Sequence, residues 1–261
     1  MICRPQLPLS CSVQEFSAAL YRFSHSMVQD QFLVVNPDHS FRTVPLAECF
    51  FNPSCITSSF DVESFLAGLG MQPSQALDGK IVDALRNMLF VDFGAFGIDL
   101  LAINLQRGRD HGLPGYLELR EALGLGPLSL PVALTDAYGG TDIDLLMGAL
   151  MEEPYRDSIV GETMHWVLSD QFERLRSGDR FWYENQDFDM AGTPVFGANL
   201  VDWLNQQTLG DLIHRNTGIS AMPASVFSTE GASVMAASVP GPAPLALLLP
   251  AIVALARRRT A

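Results

Sequence analysis

Along most of the chain, apolar positions recur every three or four residues, the spacing of helices that bury one face. The segments that carry it are VESFLAGLG, QALDGKIVDALRNMLF, GIDLLAINLQR, PGYLELREALGL, DIDLLMGALME, a long stretch from Asp157 to Ser177, NLVDWLNQQ and TLGDLIHRN. Ser12-Val13-Gln14-Glu15 has the form of a capping box and predicts a further helix running to about Gln29. QFLVVNPDHSFRTVPL breaks the pattern, placing two short extended pieces around an Asn-Pro-Asp turn, a β-hairpin-like segment. The chain therefore reads as mainly α. Its long irregular connections are costly unless something organises them.

Two of these helices carry polar residues that an ordinary core would not use. On a helix from Phe16 to Val28, Phe16, Leu20, Phe23 and Met27 share one face, and Ala18, Tyr21, Arg22 and His25 the opposite one. With no ordinary solvent face, this helix is expected to be sandwiched inside the protein. Arg22 and His25, one turn apart, project the same way. A single histidine there is most often a hydrogen-bonded core residue, and a nearby arginine changes that little. The second helix belongs to IDLLAINLQRGRDHGLPGY, residues 98–116, where Asn104 shares a stripe with Leu100 and Leu101 and so points inward. A buried amide without partners costs about 1–3 kcal/mol, so Asn104 requires one. Gly108 is expected to end the helix in a left-handed turn just after Arg107. Arg109-Asp110-His111-Gly112 is then expected to knit the exit loop, and Pro114 to start the next helix.

Composition narrows the function. With 261 residues, 48% of them hydrophobic, the chain has ample material for a core. A formal charge of -13 disfavours binding to nucleic-acid phosphates. The four cysteines, Cys3, Cys11, Cys49 and Cys55, form no zinc-spaced cluster. Cys49 and Cys55 are close enough in sequence to bridge in an exported protein, and two free thiols are the alternative. Near the end, an apolar run from Ala243 to Ala256 is broken by Pro244 and Pro250 and followed by Arg257, Arg258 and Arg259. It is short of the roughly 20 residues that span a bilayer, and the arginines favour a cytoplasmic end. A plain tail anchor is one alternative for this stretch. MICRPQLPLSCSVQEF lacks the apolar core and cleavage site of a signal peptide.

INLQRGRDHGLPGY resembles the hallmark of the animal-type haem peroxidases, and FSAALYRFSHSMV resembles that family's proximal helix. FFNPS, LRNMLF, TDIDLLMGAL, QFERLRSGDRFWYEN and LGDLIHRNTGI fall in the family's order, so the resemblance runs from Phe16 to Thr229. It implies the C-terminal half of the animal haem peroxidase fold over residues 12–229, with the proximal half of the site only. It makes His25 the axial ligand of a haem b iron and Asn104 the acceptor of a hydrogen bond from the far imidazole nitrogen. Arg22 and Arg107 would lie beside the haem propionates. The reaction implied is oxidation of small organic or halide donors by hydrogen peroxide.

In the family, the distal histidine and arginine, the haem-esterifying carboxylates and the calcium loop all lie upstream of the proximal helix. No catalytic residue and no calcium site are therefore expected in this segment. His39, His111, His165 and His214 do not substitute by motif. After a linker at 230–238, residues 239–261 resemble a bacterial PEP-type C-terminal sorting signal: Pro240-Gly241-Pro242, a short apolar helix, then arginines. That resemblance implies a Gram-negative origin, processing by an exosortase-type enzyme, and export to the cell envelope or beyond. An export tail without an export head leads to the expectation of an N-terminally truncated or split peroxidase, partnered by a distal-half chain where the gene is split. The alternative is a non-catalytic haem-binding or adhesive surface protein derived from a peroxidase.

Overall fold

The computed structural model describes residues 13–36, 38–57, 59–89, 97–184, 197–219, 222–223 and 225–228. Ser12, Cys3, Cys11 and the sorting-signal segment lie outside these. The first element is helical but not α: a π turn at Glu15–Ala19 runs directly into a 3-10 helix at Leu20–Met27. Val28 then turns extended and leads into strand β1, Gln31–Val35, which pairs antiparallel with β2, Phe41–Pro45, in the register Gln31↔Pro45 to Val35↔Phe41. The predicted hairpin-like segment is thus present. The other side of β1 is closed by the Gln72 amide, which accepts from Leu33 N at 2.9 Å and donates to Gln31 O at 2.8 Å.

Helices follow: α1 (Leu46–Cys49), α2 (Ser59–Met71), α3 (Asp83–Asn87), α4 (Leu100–Asp110), α5 (Tyr116–Ala122), α6 (Val132–Tyr138), α7 (Leu145–Leu150), α8 (Glu162–Gly178), α9 (Ala198–Asn205) and α10 (Leu209–Asn216). Between α1 and α2, Cys49 and Cys55 are joined by a disulfide with Cα atoms 5.5 Å apart, which settles the choice left open by their spacing.

Several expectations need correction. The helix expected from Gln75 onward is only α3, because Asp78 folds back to accept from Lys80 N at 2.8 Å and holds the chain in a turn. Gly108 does not end α4. The helix continues to Asp110, and the left-handed residue is Gly112 at φ 62. Leu113 N donates to Gly108 O and Gly112 N to Arg109 O, the paired bonds of a Schellman ending. Pro114 does not start α5, which begins at Tyr116 behind Gly115, itself bridged to Asp144. Helix α6 was not foreseen: of its seven residues only Leu134 is fully buried, with Ala137 and Tyr138 packed partly buried beside the core.

The core gathers α4, α5, α7, α8 and the first helical element. Leu20, Leu119, Ile143, Ala149 and Met164 are fully excluded from solvent. Every residue of α7 is buried. Gly148 lies flat against the Tyr116 ring, where a Cβ would overlap it. Inside this core Arg120 is 2% exposed, and each of its nitrogens is used: Nε on Gly126 O at 2.9 Å, Nη1 on Glu152 and Thr163 at 2.9 Å, and Nη2 on Glu162 at 2.8 Å. Tyr116 completes the network by donating to Glu152 at 2.6 Å. Among the described residues, no helix is long and apolar enough to cross a membrane.

Candidate functional site

The π and 3-10 geometry of the first element decides what faces what. Residues five apart meet across a π turn, and Phe16 stacks on Tyr21 with ring centroids 4.6 Å apart. The two had been expected on opposite faces. Tyr21 is half exposed, so the element is not fully sandwiched: Phe16, Ala18, Ala19 and Leu20 are buried while Tyr21 and Ser24 reach solvent. In the 3-10 part, side chains three apart eclipse, which lines Arg22 up with His25. Arg22 Nε bonds Ala18 O at 3.2 Å.

Helix α4 brings Asn104 to this pair. Its first turn is fixed by Asp99, whose carboxylate accepts from Leu101 N at 2.9 Å and Ala102 N at 3.1 Å. Its last turn is fixed by Arg109, which grips Asp144 through Nε at 3.0 Å and Nη2 at 2.5 Å. Tyr138 adds a hydrogen bond to Asp144 at 2.8 Å. Arg109 thereby ties α4 to the start of α7. No spacing rule reveals this pair, since the partners stand 35 residues apart. Held at both ends, α4 buries Asn104 to 1% exposure.

Asn104 Nδ2 lies 2.8 Å from His25 Nδ1, and Arg22 Nη1 lies 3.3 Å from Asn104 Oδ1. The structure thus joins two stretches 79 residues apart at the contact foreseen from sequence, but the bond runs in the opposite sense. Asn104 was expected to accept from the imidazole; here its amino group donates to Nδ1, because Arg22 occupies the oxygen. Burial, and after it the charge of Arg22, lowers the His25 pKa below the ordinary histidine value. The neutral form of the ring, the state a metal ligand requires, is thereby favoured. Arg107, one turn beyond Asn104 on α4, is exposed, and its charge reaches Arg22, whose pKa is lowered by burial and by Arg107. Neither arginine pairs with a carboxylate among the described residues.

Two like charges whose fields overlap could hold an anion. With a neutral imidazole beside them, the residues fit a metal-bearing ligand that carries carboxylates. Three or more histidine, cysteine or acidic side chains nowhere gather to hold a bare ion among the described residues. The cavity behind Asn104, lined by Ala19, Leu105, Leu113, Asp144 and Leu146, has neither His25 nor Arg22 in its wall. It is not where such a ligand would meet them. His39 sits in the hairpin turn at φ 63, His111 follows the last residue of α4, His165 faces Tyr155 on α8, and His214 bonds Ile219 O.

The helical frame that carries these residues is shared with a solved peroxidase. Peroxidase A from Dictyostelium discoideum superposes with a TM-score of 0.65 at 32% identity, over 78% of this chain and 40% of that one. In sequence, residues 5–227 match the animal haem peroxidase family, and the chain belongs to it. Peroxinectin A of Dictyostelium discoideum is 37% identical over 68% of this chain and 35% of its own length. Chorion peroxidase of Drosophila melanogaster is 33% identical over 82% of this chain and 28% of its own. The chain thus spans about a third of the length of these curated relatives.

Proposed function

We propose that the chain is the proximal portion of a haem-dependent peroxidase, with His25 the axial ligand of haem b iron through Nε2. The observation that carries this reading is the 2.8 Å contact between His25 Nδ1 and Asn104, which turns a lone histidine into an oriented one. Haem, when bound, supplies the redox chemistry by which hydrogen peroxide is reduced to water while a small organic or halide donor is oxidised. The chain's own residues have narrower tasks. Asn104 sets the direction of the imidazole; Arg22 and Arg107 offer planar, charge-assisted contacts to the two propionates.

In this reading, the distal histidine and arginine that assist O–O cleavage come from polypeptide upstream or from a separate distal-half chain. Residues 239–261, outside the described residues, are read as a sorting signal handled by an exosortase-type enzyme of a Gram-negative cell. The Cys49–Cys55 bridge supports an exported, oxidising setting.

The test is haem titration of the full chain. A Soret band typical of histidine-ligated haem should form, and His25→Ala should abolish it while the far-UV dichroism is unchanged. An identical band in His25→Ala would overturn the ligand assignment. Guaiacol oxidation should require the distal portion; turnover by this chain alone would remove the need for it.

A further inference from the structure

Asn104 serves two neighbours whose chemistry restricts the order in which they can be served. Arg22 has only donors, so the amide atom it meets must be the oxygen. It meets Oδ1 at 3.3 Å. The remaining amide atom, Nδ2, is also only a donor, and it stands 2.8 Å from His25 Nδ1. That ring nitrogen must therefore be the unprotonated one, and the neutral imidazole carries its proton on Nε2. In this tautomer Nε2 has no lone pair to give a metal. Ligation through Nε2 moves the proton to Nδ1, where it needs an acceptor, and the amide's acceptor is the oxygen that Arg22 holds.

We infer that Arg22 is a tautomer latch on the ligand site. While it holds Asn104 Oδ1, His25 is fixed in the form that does not bind metal. Nε2 is freed only when the Asn104 amide turns over and Arg22 lets go. The inference rests on the reading of His25 as an iron ligand, and it adds a positioning role for Arg22. Its Nε keeps an anchor on Ala18 O at 3.2 Å, so Nη1 can change partners without the whole side chain leaving. The natural new partner is a carboxylate of the incoming ligand, since none within the described residues pairs with Arg22. Carboxylate capture and iron ligation are then coupled: a metal-bearing ring without carboxylates has nothing with which to draw the latch off.

The first experiment contains no haem. In the full chain labelled with 15N-histidine, at about pH 8 where free histidine is neutral, long-range proton–nitrogen correlation reports which ring nitrogen of His25 is protonated. His25→Gln identifies the resonance. The expected wild-type result is a proton on Nε2. In Arg22→Leu it should move to Nδ1. It should also move in Asn104→Asp, whose carboxylate accepts from both neighbours, and which serves if the first variant folds poorly. A wild-type His25 protonated at Nδ1, or a tautomer unchanged in both variants, overturns the latch. The second experiment titrates ferric haem and its dimethyl ester. Arg22→Leu should bind the diester roughly tenfold more tightly than wild type, the worth of one charged hydrogen bond released, while binding haem itself more weakly. Equal diester affinity overturns the coupling. Absence of any Soret shift with haem or diester in wild type and variant alike defeats the haem reading and the coupling with it, and leaves the tautomer measurement to decide the latch by itself.

Discussion

Two arginine clusters in this molecule make opposite use of the same side chain. Arg120 is buried in the α5–α7–α8 core with every nitrogen bonded within the protein. Burial alone would lower its pKa, but Glu162, Tyr116 and Glu152 more than compensate and raise it. Arg22 lies at the edge of the core beside a second arginine; burial and Arg107 lower its pKa, and no carboxylate answers it among the described residues. The first cluster is complete and serves stability. The second is charged, oriented by Asn104, and without a carboxylate partner among the described residues.

The sharpest way to break this contrast is Arg120→Met. Leaving Glu152 buried without its cation should cost about 3–5 kcal/mol in urea unfolding, and replacing Glu152 with Met as well should recover most of the loss. Little or no loss in the single variant would mean that the core does not depend on that pair. Next in size, Gly148→Ala should cost about 1–3 kcal/mol by forcing a methyl into the Tyr116 ring. Arg107→Gln should behave oppositely: haem affinity falls roughly tenfold while the melting temperature does not fall. A matching drop in stability would erase the distinction between the clusters. The smallest effect concerns pH. Because the His25 pKa is lowered in the folded chain, the unfolded chain takes up that proton first as pH falls. Its stabilising contribution is whole above the unfolded value of about 6.5 and is lost as pH falls through the folded one. His25→Gln should flatten the urea midpoint across that window, and an unchanged slope would show that the imidazole is not held neutral by folding.

Much of this was visible in the sequence, and the failures have physical causes. The hairpin was legible because Asn-Pro-Asp interrupts extended pieces, and α4 because Leu100, Leu101 and Asn104 share one stripe. The meeting of His25 with Asn104 was legible because two inward polar groups each needed a partner. The sense of that bond was not, since it is set by Arg22, whose reach to Oδ1 depends on tertiary placement. The π and 3-10 character of the first element was hidden because apolar periodicity cannot separate 3.6 residues per turn from a longer turn followed by a shorter one. Gly108 misled because a glycine tolerated inside a helix and one that ends it look alike. The bond from Leu113 back to Gly108 identifies Gly112, four residues beyond the foreseen stop, as the terminator. Helix α6 was missed because its apolar face is short, Leu134 with Ala137 and Tyr138.

The way α4 is fastened has a mechanical consequence. With aspartates pinning both of its ends, it behaves as the fixed jaw of a vice, and Asn104 is machined into that jaw. The opposing jaw is a segment that changes winding between Ala19 and Leu20, where hydrogen-bond geometry is poorer and a shift in pitch meets less resistance. Any adjustment to a bound guest therefore falls on the histidine's side of the grip, and the asparagine stays put as the reference against which the ring is trued.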